Sequence, residues 1–427
     1  MKTNEVFGIS QTINPSSYID RANLDTRFKR LINRNTHIAL KGASKSGKSW
    51  LRQKALTNAN VVQCRLGDTI ESIYSTALGN LGISLESDYE EENLLKGTLD
   101  VSGEMGAKIL AKISANGAFS IEHSTTTTKQ NLWFRLDNLK FIAEAINASE
   151  KRLVIEDFHY LDIKQRQQLA FDLKTLWDYG CFVIIVGVWS QSNLLTSLNP
   201  DLTGRIEELS IYWTKEDLHK VINQGSTYLN IEIDPAIAND MIDDSYGNVG
   251  ILQKLLLHFV EDECGIEETV QNQFYLANPE NYRLAAEYYA NQLNGLYQQL
   301  AKTLSRGIRK RPKSTGIYAI TLQIIVDADD AKLISGLSRD DIYDIAHIRE
   351  PRIKKGNLKT VLRKLEEIQI DENFRNIVLS YDESTDSIFT VDRQLLFYRK
   401  YLTVKWPWEE MIEEAIQCSL FDDESEQ

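Results

Sequence analysis

The sequence predicts an α/β chain: a parallel sheet flanked by helices, followed by a helical lid and a C-terminal winged-helix domain. Three observations predict it. Short, largely apolar strand-like runs at 37–40, 61–64, 153–155 and 182–188, and a further strand at 206–211, alternate with helical patterns, as in a parallel sheet covered on both faces. From Thr214 to Leu304 helical periodicity stands alone. At 339–391 two helical stretches precede two strand-like runs about the turn DEST.

Each element has its own signal. Residues 1–35 form a polar lead-in and a helix near 23–33, and 37–40 is the first strand. A glycine-rich turn leads to a helix from about Lys48; 61–64 is a second strand, and 69–81 carries Ile70, Ile73, Ala77 and Leu81 on one helical stripe. The alternation breaks at 84–130. Ser84–Asp100 reads as an acidic loop, and Lys108–Ile121 alternates about Asn116-Gly117, a strong hairpin signal, so a β-hairpin insert is expected there. The pattern resumes with a helix at 136–149, a strand at 153–155, a helix at 165–179 and strands at 182–188 and 206–211. Thr214, with Asp217 three residues on, signals the start of a helix at 215–228; others follow at 235–245, 249–263 and 282–304. The run 302–313 holds six cations, no acid, Gly307 and Pro312, and reads as a linker. The expected organisation is a core at 1–213 with its β-hairpin insert near 84–130, a lid at 214–300, a basic linker at 301–315, a winged helix at 316–405 and an acidic tail at 406–427.

Composition narrows the class. At 427 residues, 42% hydrophobic and 26% charged, the chain is an ordinary globular protein with room for two or three domains. No apolar run spans a membrane and no signal-peptide core opens the chain, so a cytoplasmic protein is expected. Cys64, Cys181, Cys264 and Cys418 lack metal spacing and read as reduced packing residues. The net charge of −13 speaks against a generic nucleic-acid binder. Eight of those charges lie in the tail, from Glu409 to Glu426, so the average hides a less acidic body.

The chemistry is carried by GASKSGKS at 42–49, which fits G-x-x-x-x-G-K-[ST] at every fixed position. Gly42 and Gly47 permit a backbone that turns successive N–H groups toward an anion, and the following helix adds the positive end of its dipole. The nucleotide site therefore comprises Gly42, Ala43, Ser44, Lys45, Ser46, Gly47, Lys48, Ser49 and Trp50. Lys48 reaches the β- and γ-phosphates of ATP, and the Ser49 hydroxyl is a ligand for Mg²⁺. LVIEDFH at 153–159 is an apolar strand ending in two acids. Glu156 is assigned to Mg²⁺, through water, and Asp157 to polarising the attacking water; the usual order of the two, Asp then Glu, is reversed. His159 reads as a loop residue, with phosphate sensing as the alternative. In the C-terminal segment Arg352, Lys354, Lys355, Lys359, Arg363 and Lys364 make the second helix basic, with Leu358, Val361, Leu362 and Leu365 on its core face.

PSSYIDR at 15–21, GASKSGKS, LVIEDFHYL, FVIIVGVWSQSNLL, LTGRIEELSIYWTKEDL and the winged helix together make the chain resemble AAA+ and STAND-type P-loop ATPases, of the lineage of origin-recognition ATPases and TniB/TnsC-like transposition regulators. The resemblance covers most of residues 15–405. It implies that the segment with Tyr18, Ile19, Asp20 and Arg21 closes over adenine, that Ser190 or Gln191 is a phosphate-sensing polar residue, and that Arg205 is an arginine finger offered to a neighbouring subunit. The sequence departs at 246–256, where Gly250 stands at the place of a second sensor arginine and Lys254 is a weak substitute. That favours an ATP-gated switch over a fast motor. The implied partners are ATP, further copies of the chain or a separate effector protein, and DNA through the winged helix; no membrane partner is implied. Prokaryotic defence and mobile-element regulation are the settings such a switch would serve, and the rival reading is a DNA-binding transposition or replication initiator.

Overall fold

A computed structural model describes residues 1–409, apart from 22, 89–95, 102, 116–128, 132–137, 190, 307–315, 371–376 and 403. The chain divides into two units, one of residues 22–42 and 48–211, the other of residues 1–21, 43–47 and 212–427. After α1 (Thr3–Phe7), which belongs to the second unit, the first unit runs through α2 (Leu24–Ile32), β1 (His37–Gly42), α3 (Lys48–Ala55), β2 (Ala59–Gln63) and α4 (Ile70–Gly79). It continues through β3 (Ile83–Asp88), β4 (Lys96–Val101), α5 (Gly103–Ala115), β5 (Lys129–Asn131), α6 (Leu139–Ala148) and β6 (Arg152–Glu156). It ends with α7 (Ile163–Asp178), β7 (Ile184–Gly187), α8 (Leu194–Leu198) and β8 (Ile206–Ile211).

Five of these strands form one parallel sheet in the order β2-β6-β7-β1-β8. Strand periodicity sends alternate residues to opposite faces. Ile38 and Leu40 of β1, Val154 of β6 and Leu209 of β8 pack with Phe28 of α2 and Leu51 of α3. Ala39, Ile155 and Ile185 pack on the other face with α4, α6 and α7. Both faces of the inner strands β6, β7 and β1 are therefore dry, which is why these read as apolar runs, while the edge strands β2 and β8 alternate buried with more exposed residues. Each fully buried Leu, Ile or Val contributes about 1.5–3 kcal/mol.

The inserted region differs from expectation. β3, β4 and β5 form a separate antiparallel sheet in the order β3-β4-β5. The stretch read as an acidic loop thus contains two paired strands, whose polar residues alternate with Leu85 and Leu99 at matched positions. The expected hairpin strand at 108–115 is helix α5. Ile109, Leu110 and Ile113 are buried at helical spacing, and a Cβ on Gly106 would lie 2.6 Å from the Gly82 carbonyl oxygen. A four-residue stripe competes with a two-residue alternation in this sequence, and packing on Gly82 decides for the helix. Asn116-Gly117 lies outside the described residues.

The second unit holds α9 (Lys215–Leu229), β9 (Ile231–Ile233), α10 (Pro235–Asp244), α11 (Val249–Leu257), β10 (Phe274–Leu276) and the long α12 (Pro279–Arg306). Thr214 caps α9, its hydroxyl accepting from the Asp217 N–H at 3.1 Å. Residues 1–21, expected in the core, pack here instead. Val6 and Phe7 are buried in the cluster that includes Leu218, Val221 and Leu252, and Phe7 lies over Gly225, where a Cβ would come within 2.1 Å of its ring. α12 also runs into the expected linker, because Ala301 and Leu304 continue the buried stripe of Tyr297 and Leu300.

Beyond it come α13 (Ile317–Asp327), α14 (Asp330–Ser335), β11 (Leu337–Ser338), α15 (Arg339–Arg349), α16 (Lys355–Ile370), β12 (Leu379–Asp382), β13 (Ser387–Thr390) and α17 (Gln394–Tyr401). The three strands form an antiparallel sheet in the order β11-β13-β12. Leu358, Val361, Leu362 and Leu365 of α16 are buried. The acidic tail beyond Glu409 lies outside the described residues. Among the described residues no helix is long and apolar enough to cross a membrane.

Candidate functional site

The glycine-rich turn leaves the carboxyl end of β1 and enters α3 at Lys48. Lys45 (φ 59°) and Gly47 (φ 86°) take left-handed backbone conformations, so the second motif glycine is required by its dihedral. In the first unit, Lys48 is almost wholly buried and its ammonium donates to the Gly42 carbonyl at 3.0 Å. Burial pushes its pKa down to about 8, against the pull of the Asp157 and Glu156 carboxylates. Ser49 is exposed at the start of the helix, and Trp50 is half-buried beside it.

The two acids stand at the end of β6, and both already have donors. The Arg52 Nε and Nη2 atoms donate to the same oxygen, Oε1 of Glu156, at 3.0 and 2.9 Å. Gln63 Nε2 donates to Asp157 Oδ2 at 2.8 Å. Gln63 is the last residue of β2 and lies in register with Glu156, so the parallel pairing of β2 and β6 brings the amide beside the acids. Asp157 itself is left-handed, at φ 57°.

His159 is buried, with Nδ1 accepting from the Val188 N–H at 3.3 Å. Burial, then Lys48 and Arg166, depress its pKa to about 3, so the ring is neutral and ties the turn after β6 to the end of β7. This fits its reading as a loop residue. Ser190 lies outside the described residues. The Gln191 side chain reaches Ser197, Nε2 to Oγ 3.3 Å, and the Gln191 main-chain carbonyl accepts from Lys41 Nζ at 3.2 Å. Lys41 is in turn paired with Glu208 at 2.8 Å.

Arg205 is not brought to this place. It precedes β8, whose first residue Ile206 is in register with His37 at the start of β1. The turn at Gly42 is at the other end of the same strands, about 20 Å away at roughly 3.3 Å per residue. The guanidinium lies 5.0 Å from the centre of the Trp177 ring and donates to the Asp201 carbonyl at 2.5 Å. Glu207 pairs with Arg34 and Glu208 with Lys41, so neither is its ion-pair partner.

In the second unit, residues 43–47 of the turn are held by side chains distant in sequence. Asn248 Nδ2 donates to the Ser44 carbonyl at 2.8 Å while its Oδ1 caps α11, accepting from the Gly250 N–H at 2.8 Å. Lys45 Nζ donates to Gln394 Oε1 at 2.6 Å. Trp213 Nε1 and Arg21 Nη1 both donate to the Ser46 carbonyl, at 3.0 and 2.9 Å, with the Arg21 guanidinium 4.0 Å over the Trp213 ring. Arg21 therefore braces the phosphate turn. Tyr18 is half-buried, its carbonyl accepting from Gln224 Nε2 at 3.5 Å. At Gly250 a Cβ would lie 2.6 Å from Lys45 Cβ, so a larger residue there would press on the turn.

Sequence reasoning missed Arg52, Gln63, Trp213, Asn248 and Gln394. A signal existed only for Asn248, in the turn 246–248 ahead of a helical stripe. Among the described residues there is no group of three or more His, Cys, Asp or Glu suited to a metal on its own. The donors present, the Ser49 hydroxyl and the second oxygen of Glu156, are hard oxygens of the kind that complete a Mg²⁺ shell alongside phosphate and water, so the residues fit that ion. Cys64 and Cys181 are buried thiols whose pKa burial pushes up to about 12, consistent with packing roles.

No protein-family model and no curated protein matches the sequence. Solved structures do. A Walker-type ATPase of Pyrococcus abyssi superposes over 93% of this chain and 100% of its own, with a TM-score of 0.52 and 14% identity. The chain has the P-loop NTPase fold. Two further structures match at lower scores. The Aeropyrum pernix ORC1 protein in complex with DNA matches over 91% of this chain and 93% of its own, with a TM-score of 0.39 and 10% identity. A STAND protein with a tetratricopeptide repeat sensor from Pyrococcus horikoshii matches over 91% of this chain and 42% of its own, with a TM-score of 0.36 and 12% identity.

On this P-loop NTPase the C-terminal cations are partly spent. Arg352 pairs with Glu350 at 2.7 Å, Lys355 with Asp340 at 3.0 Å, and Arg363 with Glu383. Lys354 and Lys364 are exposed and Lys359 half-buried.

Proposed function

We propose that this chain binds ATP with Mg²⁺, hydrolyses it slowly, and acts as a molecular switch whose nucleotide state controls assembly with further copies or with a partner protein. The observation that carries the reading is the phosphate turn between β1 and α3 with Lys48 buried beside two strand-end acids. The backbone amides of 43–48 and the α3 N-terminus receive the phosphates. Lys48 neutralises the β/γ oxygens, and ATP, bringing negative charge, keeps its ammonium protonated. Asp157 orients the attacking water and takes up its proton, once Gln63 yields the carboxylate. Ser49 and Glu156 hold Mg²⁺, which when bound supplies charge stabilisation at the phosphates. Tyr18 and Arg21 belong to the segment that encloses the base, and Arg205 supplies a finger to a neighbour. Residues 214–300 serve as the lid and 316–405 as a winged helix; Asn248 and Gln394 give each a direct hold on the phosphate turn.

The rival, a DNA-binding regulator, loses ground because three of the six cations on and beside α16 are already paired with acids. Asp157→Asn is expected to lower ATP turnover by about two orders of magnitude or more while leaving nucleotide affinity within about threefold. Lys48→Ala is expected to abolish binding of a fluorescent ATP analogue. Wild-type turnover in both variants would reject the site assignment.

A further inference from the structure

The pairing of Arg52 with Glu156 has a geometry that bears on the cation. A guanidinium facing a carboxylate usually engages both oxygens through two parallel bonds. Here both nitrogens meet Oε1 alone, at 3.0 and 2.9 Å. Oε2 receives no donor among the described residues. The two side chains are only 12% and 13% exposed, so little solvent screens the pair. Arg52 lies four residues after Lys48 and three after Ser49 on α3, which sets all three on one face of that helix.

Charge counting then distinguishes this site. Lys48 and Arg52 contribute two positive charges and Glu156 and Asp157 two negative ones, so the four groups sum to zero before any cation arrives. Without Arg52 the sum would be −1, which repels a polyphosphate and attracts a divalent ion. Resting on the nucleotide-binding reading above, we propose that Arg52 is a positioning residue that sets the divalent-cation requirement. It pins Glu156 by one oxygen, leaves the other for Mg²⁺, and supplies at the metal side a fixed positive charge that lets ATP bind with little dependence on the ion. The cation is then loosely held and exchangeable within the nucleotide complex.

The test uses the full-length protein, a fluorescent ATP analogue titrated in EDTA and in Mg²⁺, and Mn²⁺ as a paramagnetic probe read by EPR in the nucleotide complex. Wild type is expected to bind the analogue with affinities in the two buffers that agree within about threefold. Arg52→Gln is expected to weaken binding in EDTA by about tenfold and to tighten Mn²⁺ in the complex by about tenfold. Arg52→Lys keeps the charge but frees Oε1, so it retains binding in EDTA and tightens Mn²⁺ by about threefold. This second variant carries the test if melting curves show that Arg52→Gln does not fold. A merely structural ion pair would leave the EDTA-to-Mg²⁺ ratio and the Mn²⁺ spectrum unchanged in both variants, and that result overturns the proposal while leaving nucleotide binding intact. Failure of wild type to bind the analogue in either buffer overturns the nucleotide reading and this inference with it.

Discussion

His37 shows how one residue makes stability depend on pH. Its ring is wholly buried at the start of β1, Nδ1 accepts from the Val183 N–H at 2.9 Å, and Nε2 meets the Leu173 carbonyl at 2.8 Å. That pattern admits only the neutral Nε2–H tautomer, since a second proton would face an N–H. Burial accordingly lowers the pKa from 6.5 to about 4. As pH falls from 6.5 the unfolded chain takes up a proton that the native ring refuses, so stability is full above 6.5 and is lost progressively down to about 4. The drop is about 3 kcal/mol at 1.36 kcal/mol per pKa unit. His37→Asn should therefore melt earlier than wild type at pH 7 yet show a flatter decline toward pH 4; parallel curves would contradict this account. His37 was legible only as part of an apolar strand. Arg52 and Gln63 were equally silent, because their meaning depends on which strand ends lie side by side. Pairing of β2 with β6 is a property of strand order, which local periodicity does not encode, whereas Lys48, Ser49 and the two acids announced themselves by contiguous motifs.

At the level of elements, the inner strands β6, β7 and β1 are legible in the sequence because they are buried on both faces and carry their signal without help from partners. The sequence pattern does not settle α5, because alternation and helical spacing coexist in 107–115 and the packing of Gly106 on Gly82 is non-local. The same contrast appears at α11. Asn248 caps that helix and also holds the Ser44 carbonyl. Asn248→Ala removes both, at a cost of about 1 kcal/mol for the cap. It should also weaken the fluorescent ATP analogue several-fold, because the phosphate turn loses a brace. An unchanged affinity with a lowered melting temperature would confine Asn248 to capping. Packing of α1 on α9 offers a second check. Gly225→Ala would push a methyl into the Phe7 ring, which is 1% exposed and has nowhere to retreat. A loss of about 1–3 kcal/mol is expected. Adding Phe7→Leu to that variant should recover part of it, since the two changes share one contact. Purely additive losses by urea unfolding would show that the contact is not the cause.

For the whole molecule, a switch can be moved only by a ligand that binds its two states differently; inverting a 1:99 ratio takes about a 10⁴-fold difference in affinity. Slow hydrolysis that quickens on assembly would couple that shift to copy number. Arg205 is the residue through which such coupling would act. It lies about 20 Å along the parallel strands from its own phosphate turn, by the rise of roughly 3.3 Å per residue, so it cannot serve the site of its own chain. Its side chain is not engaged by Glu207 or Glu208, which have other partners, and it rests on Trp177. A finger in trans makes a definite prediction. Under the proposed finger role, Arg205→Ala chains would keep an intact phosphate turn but offer no finger, and Lys48→Ala chains would offer a finger but fail to bind the phosphates. Each alone should turn over ATP at least about tenfold more slowly than wild type, and turnover per wild-type chain should rise with protein concentration. Mixed together, the two variants should recover activity above the sum of their separate rates, because the Lys48→Ala chain can complete the site of its neighbour. Mass photometry on the same mixtures, with and without ATP, would show whether recovery tracks assembly. Loss of turnover in Arg205→Ala that no mixture restores would place the arginine in the folding of the β8 approach, through Trp177, and remove it from catalysis.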